Sequence, residues 1–221
     1  PAIVYFHGGS WTEGKPDWFF AAARDYAENG WVAAAVEYRI ADRHGTLPFE
    51  AVKDAKSAIR WLRANAEELG IAKDSIVATG NSAGGHLVLC SALNKSLNEK
   101  TDNLNISPVP DILLLNAAVY DLTGSEWITV KFENKDTVKS ISPTHLIRKT
   151  DQPILMIHGT LDRSVLYETA QLFYEKAQEQ MPNLEFKTLH GAGHFIWFDK
   201  EFSGKVRQFR MNFLLEHGFK L

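Results

Sequence analysis

Ser75-Ile76-Val77-Ala78-Thr79-Gly80-Asn81-Ser82-Ala83-Gly84-Gly85 is the stretch on which the fold turns. Ser75–Thr79 reads as a short strand, and a helix is expected from about Ala83 to Asn94. Between them, Gly80–Gly84 matches G-x-S-x-G, with Gly85 extending it. A bare match of this kind occurs often by chance. A strand before it and a helix after it turn it into a specific expectation: a sharp strand-to-helix turn that holds a serine in strained backbone, with glycines where other chain must pass closely. The helix start also brings backbone N–H groups and the positive end of the helix to the serine.

Working outward, apolar runs alternate with helical patterns. Ala2–Phe6, Trp31–Val36, Asp111–Ala118, Pro153–His158 and Leu184–Leu189 read as further strands. Phe19, Ala22, Ala23, Tyr26 and Ala27 follow helical spacing, and Val52, Ala55, Ile59, Leu62 and Ala66 step by three and four along an amphipathic helix. Further helices are expected over Val165–Gln180 and through Phe202, Val206, Phe209 and Phe213. Continuously apolar strands alternating with helices predict an α/β fold, a mostly parallel sheet flanked by helices. The 221 residues fit one domain, 1–221. The least regular stretch, 121–151, is too short for a large cap and reads as a small lid excursion.

A serine hydroxyl needs a base, and the base needs an acid to orient it. In this type of fold the chain order is Ser, acid, His. His194, in the loop Gly191-Ala192-Gly193-His194 after the last strand, is preferred as base over His190, which directly ends that strand. Asp162, in His158-Gly159-Thr160-Leu161-Asp162 after the penultimate strand, is preferred as acid, with Asp121 one strand earlier as the alternative. His7-Gly8-Gly9-Ser10-Trp11 follows the first strand, and its glycines let the backbone approach a substrate oxygen. Gly9, Ser10 and Ala83 are the expected donors to an oxyanion, and His7 is expected to order the loop. Trp11, Trp18, Trp127, Phe195 and Trp197 flank these motifs and are candidate walls of a substrate pocket.

Taken together, the His-Gly-Gly-Ser-Trp loop, the Gly-Asn-Ser-Ala-Gly-Gly turn, the His-Gly-Thr-x-Asp segment and the Gly-Ala-Gly-His loop resemble the esterase/lipase branch of the α/β-hydrolase superfamily. The likeness is to bacterial short-chain carboxylesterases near the hormone-sensitive-lipase group, acetyl xylan and other carbohydrate esterases among them. It spans nearly the whole chain and implies hydrolysis of short, acetyl-type carboxylic esters through an acyl-enzyme, on small-molecule or carbohydrate substrates. Two departures stand out. Ser10 occupies a position where the lipase-like group usually has glycine, which matters little if the donors are backbone groups. Members of the branch also usually carry further strands before the oxyanion loop, whereas this chain opens at Pro1 directly on a strand. An incomplete sheet is therefore expected, with an edge able to pair with a second copy as a homo-oligomer.

A formal net charge of −3 gives no electrostatic case for nucleic acid. No apolar run nears the roughly 20 residues that span a bilayer, so no membrane is expected as partner. The histidines and the single cysteine, Cys90, show no zinc-type spacing, and neither metal nor organic cofactor is implied. One cysteine allows no intrachain disulfide and leaves the compartment open between cytoplasm and secretion. Two other functions stay in view: a serine peptidase of prolyl-oligopeptidase type, which usually adds a propeller domain, and a non-catalytic ligand-binding protein on a hydrolase scaffold, which typically loses the serine or the base.

Overall fold

A computed structural model of the chain describes residues 1–124 and 135–220. The apolar runs form strands β1 (Ala2–Phe6), β2 (Val32–Val36), β3 (Ile76–Asn81), β4 (Ile112–Asn116), β5 (Ile154–Gly159) and β6 (Leu184–Leu189). Among the described residues these make one sheet in the order β2-β1-β3-β4-β5-β6, and every pairing is parallel. Parallel strands need crossovers, and helices lie in them: α1 (Phe20–Glu28), α3 (Pro48–Ala64), α4 (Ala83–Leu93) and α6 (Tyr167–Ala177), with α7 (Ser203–Glu216) following the last strand. Two short helices, α2 (Ala41–His44) and α5 (Lys135–Lys139), lie in connections.

Helices cover both faces of the sheet, which is why β1, β3, β4 and β5 are buried almost throughout, whereas edge strand β6 (Leu-Glu-Phe-Lys-Thr-Leu) is half-buried between its ends. Val4, Phe6, Ala78, Leu113, Leu115 and Met156 pack against Val52, Ile59, Leu87 and Phe173 on one face. Ile3, Tyr5, Val77, Leu114, Leu155 and Ile157 pack against Phe19, Val206 and Phe213 on the other. Each such side chain contributes about 1.5–3 kcal/mol on burial. Helix α3 begins at Pro48, four residues ahead of the first apolar position that the pattern picks out. Pro48 supplies a preset φ at the first turn, and the Glu50 carboxylate accepts a hydrogen bond from Leu47 N–H at 3.2 Å.

Outside the sheet, the connection 95–111 is held to α3 by ion pairs. Arg60 meets Asp102 at 2.6 Å with both side chains almost wholly buried, and Arg63 meets Asp111 at 3.3 Å. Of the irregular stretch 121–151, residues 125–134 lie outside the described residues. The remainder packs down: Leu122, Val138 and Ile141 are buried. Cys90 is a buried free thiol. No helix among the described residues is long and apolar enough to cross a membrane.

Candidate active site

The candidate residues gather at the carboxyl edge of the sheet. Ser82 follows β3, His7-Gly8-Gly9 follows β1, Asp162 follows β5 and His194 follows β6. Because β2 lies on one side of β1 and β3 on the other, the winding direction reverses between β1 and β3. The crevice opened by such a reversal is where ligands bind in sheets of this type, and here it lies between the glycine loop and Ser82.

Ser82 has φ 54 and ψ −121, a conformation few side chains tolerate. Neighbouring chain holds it there: Ser82 N–H donates to Asn116 O at 3.1 Å, and its own carbonyl accepts from His86 and Val119 N–H. The flanking glycines are required by close approach. A Cβ on Gly80 would lie 2.3 Å from the Gly84 carbonyl carbon, and one on Gly84 would lie 1.9 Å from Phe6 O. The start of α4 thus presses onto the end of β1 and brings the serine and the glycine loop together. Ala83 is the first residue of α4, so its N–H has no intrahelical acceptor.

A tight turn shapes the loop itself. Gly9 has φ 105 and its carbonyl accepts from Thr12 and Glu13 N–H; Ser10 and Trp11 follow with φ 54 and 59. Among the described residues the amides of Gly9, Ser10 and Ala83 make no hydrogen bond, which leaves three N–H groups for a ligand. His7 orders this loop. It is fully buried, stacks on Tyr38 at 4.1 Å and bonds Gly8 O through Nδ1 at 2.7 Å. The Tyr38 hydroxyl donates to His7 O at 2.7 Å. Burial lowers the His7 pKa, so the ring is held neutral.

Asp162 and His194 are in direct contact, Oδ2 to Nδ1 at 2.7 Å. Ser164 and Val165 N–H donate to Oδ1 of the same carboxylate, each at 2.9 Å. Burial alone would raise the Asp162 pKa, but hydrogen bonds from His158, His194 and Val165 outweigh it and hold the carboxylate well below its usual range. It is thus an anion able to fix one tautomer of His194 and to stabilise the imidazolium. Among the described residues, Ser82 Oγ and His194 Nε2 make no hydrogen bond, leaving both atoms available. In unliganded sites of this kind the nucleophile–base contact often tightens only when substrate binds.

Asp121, the alternative acid, is engaged elsewhere, accepting from Thr123 and Ser142. His190 is exposed on the surface. Trp11 is buried and meets His86 edge-on at 4.9 Å, so it backs the site rather than facing the crevice. Trp197 also turns away, packing on Phe19 and beneath Arg210. Position along the chain does not say which way a ring points. Phe195 alone of the described aromatic candidates in that loop stands exposed beside His194, ring centres 5.3 Å apart. Trp127 lies outside the described residues. Among the described residues no cluster of His, Cys, Asp or Glu is arranged to hold a metal.

His158 is the participant that sequence reasoning passed over. It is fully buried, with Nε2 at 3.1 Å from Asp162 Oδ2 and 2.9 Å from Val165 O. The spacing His-Gly-x-x-Asp carried the signal, since a residue at the end of a strand reaches back over the turn four residues on.

Residues 1–177 match the BD-FAE family. Esterase LipC of Mycobacterium tuberculosis is 27% identical over 219 residues, 88% of this chain and 52% of LipC. The probable carboxylic ester hydrolase LipM of the same organism is 30% identical over 196 residues, 81% of this chain and 45% of LipM. The chain thus spans about half the length of these curated relatives. Among solved structures, the apo form of Thermogutta terrifontis esterase 2 superposes with a TM-score of 0.92 at 35% identity, over 100% of this chain and 84% of that one. The same esterase phosphoramylated by tabun gives a TM-score of 0.90.

Proposed function

The chain belongs to the BD-FAE family within the esterase branch of the α/β-hydrolases, and from that premise we propose that it hydrolyses carboxylic esters through an acyl-enzyme on Ser82. The observation that carries the proposal is the 2.7 Å contact of His194 with Asp162, formed on the same sheet edge as the strained Ser82. Ser82 Oγ attacks the ester carbonyl carbon while His194 Nε2 takes its proton. The carbonyl oxygen becomes an oxyanion that accepts hydrogen bonds from Gly9, Ser10 and Ala83 N–H. The tetrahedral species collapses, the C–O bond to the alcohol breaks, and His194 returns the proton to the leaving oxygen. Water then repeats the sequence, with His194 as base, and releases the acid and free Ser82.

The substrate reading is narrower. We propose acetyl to butyryl esters of small or carbohydrate alcohols. Support comes from Phe195 beside His194, an exposed ring suited to stacking on a flat or sugar-like alcohol portion, and from Trp11 filling the space behind the glycine loop. We read 1–221 as one hydrolase domain. The test is hydrolysis of nitrophenyl esters from acetyl to decanoyl. Ser82→Ala is expected to lose about 10⁶-fold in turnover while remaining folded. Retained activity in that variant overturns the mechanism. Faster turnover of decanoyl than acetyl ester overturns the short-chain reading and leaves the mechanism intact.

A further inference from the structure

Residues 9–11 form a left-handed turn, two of whose three residues resist that hand. Gly9, Ser10 and Trp11 have φ 105, 54 and 59, and Gly9 O accepts from both Thr12 and Glu13 N–H. Position 9 admits only glycine, since a Cβ there would lie 2.3 Å from Glu13 O. Ser10 and Trp11 carry Cβ atoms, which crowd the following carbonyl when φ is positive, and a side chain as large as indole is rarely found there. Left to itself, this pair favours the right-handed region. The hand of the turn sets the direction of the Gly9 and Ser10 N–H groups, because successive amides in such a turn line one concave side suited to an anion.

A backbone held against its preference must be fixed by its surroundings. The root of the loop is fixed by α4, which presses on the end of β1: a Cβ on Gly84 would lie 1.9 Å from Phe6 O and 2.6 Å from His7 O. The far side is tied to α2, with Trp11 O accepting from Ala41 N–H at 2.9 Å and Thr12 O from Asp42 N–H at 3.0 Å. The Trp11 side chain supplies a tie back to α4. Its ring is 2% exposed and meets His86 edge-on at 4.9 Å. His86 Nε2 in turn donates to Ile141 O at 2.6 Å, and His86 lies one turn beyond Ser82 on the helix that Ala83 begins. Trp11 and His86 thus bridge the two halves of the donor set, Gly9 and Ser10 on the loop and Ala83 on the helix. We propose that Trp11, seated on His86, is a positioning residue for transition-state stabilisation: its buried ring keeps the glycine loop left-handed and at a fixed distance from Ala83 N–H. This role rests on the ester-hydrolase reading of the site.

The experiment is steady-state hydrolysis of nitrophenyl acetate by the full chain, with Ser82→Ala and with Trp11→Phe, Trp11→Gly and Trp11→Ala, each checked for folding by its melting temperature. Trp11→Phe keeps a buried ring and is expected to retain most of kcat. Trp11→Gly loses the ring but accepts positive φ, whereas Trp11→Ala loses the ring and favours the right-handed backbone. The expected loss in kcat is about tenfold for Trp11→Gly and about 10²-fold for Trp11→Ala, the larger being the scale of one lost oxyanion donor. KM should change little in either, as for an interaction made only in the transition state. A side chain that merely fills space gives the reverse order, because alanine fills more than glycine. Trp11→Ala as active as Trp11→Gly, or losses confined to KM, overturns the proposal. If neither small variant folds, His86→Gln, which removes the ring contact from the helix side, must lower kcat by about tenfold with KM kept, and an unchanged kcat overturns the proposal. Hydrolysis that survives in Ser82→Ala, or is absent from the unmodified chain, overturns the esterase reading and this role with it. Ser82-dependent hydrolysis with the wrong order of variants overturns the positioning role alone.

Discussion

Asp162 gathers donors from four places onto one buried carboxylate: two backbone N–H groups on Oδ1 and the rings of His158 and His194 on Oδ2. On the proposed mechanism, a carboxylate so fixed in position and charge has one task, to hold His194 with Nδ1 protonated and Nε2 free. Asparagine in its place keeps the shape, but presents an amide to Nδ1 and permits the wrong tautomer. Asp162→Asn is therefore expected to lower kcat by about 10⁴-fold with KM little changed. Steady-state kinetics on acetyl esters, with Asp121→Asn beside it, checks this. Asp121 is occupied by Thr123 and Ser142, so its variant should keep near-normal kcat; the opposite pattern would move the acid one strand earlier. At this scale the sequence spoke clearly for Ser82, Asp162 and His194, because each sits in a short motif next to a strand end. It said nothing of Tyr38, whose hydroxyl reaches His7 across 31 residues of chain.

Strand ends and loops fit together at this edge through glycines. A Cβ on Gly159, the last residue of β5, would lie 2.3 Å from Ala192 O and 2.7 Å from Gly193 O. The backbone of the His194 loop therefore passes directly over the strand that delivers Asp162. Gly159→Ala must push that loop away, and a displacement near 1 Å at a reacting group costs about 10²-fold in rate. The expected outcome is a folded protein with kcat reduced on that scale. Gly193→Ala, on the loop side of the same contact, has open space around its Cβ and should change little. Measured kcat values and melting temperatures for the pair settle the matter; equal effects would mean that the loop is not seated by Gly159. The elements themselves were legible from periodicity, since buried parallel strands are continuous apolar runs. Their ends were less so. Helix α3 starts at Pro48 because of a side-chain cap from Glu50, and β3 runs on to Asn81, because ladder pairing with Asn116 continues where apolar character has stopped.

Across the whole molecule, the sheet's winding reversal places the crevice and the helices seal what lies beneath it. His86 is sealed most completely: it is fully buried one turn into α4, between Trp11 and Ile141 O, and burial lowers its pKa from 6.5 to about 4. In the unfolded chain the ring protonates as pH falls through 6.5, while in the fold it stays neutral until about 4. The contribution is thus fully present above pH 6.5, is lost as pH falls toward 4, and changes no further below that. His7, also lowered by burial, acts in the same direction. Asp162, whose pKa is depressed, contributes a stabilisation that is present above its ordinary 3.8 and is lost as pH falls below it. Urea unfolding at pH 7 and at pH 4.5 is expected to differ by about 3 kcal/mol on the His86 account. His86→Gln should flatten that dependence, and an unchanged slope in the variant would assign it to other groups.

The order of strands and helices, the parallel sheet and the three residues of the candidate relay follow from the sequence by itself. Hydrophobic periodicity and glycine placement are local properties, and Gly80-Asn81-Ser82-Ala83-Gly84 carries its geometry within five residues. Tertiary structure alone decided which rings face the crevice, which histidine braces Asp162 and that Arg210 is buried over Trp197. Trp11 and Trp197 adjoin the motifs in sequence, yet one is packed against His86 and the other against Phe19 and Arg210. The direction of a side chain and the pairing of a buried charge depend on residues far apart in the chain, and only packing brings those together.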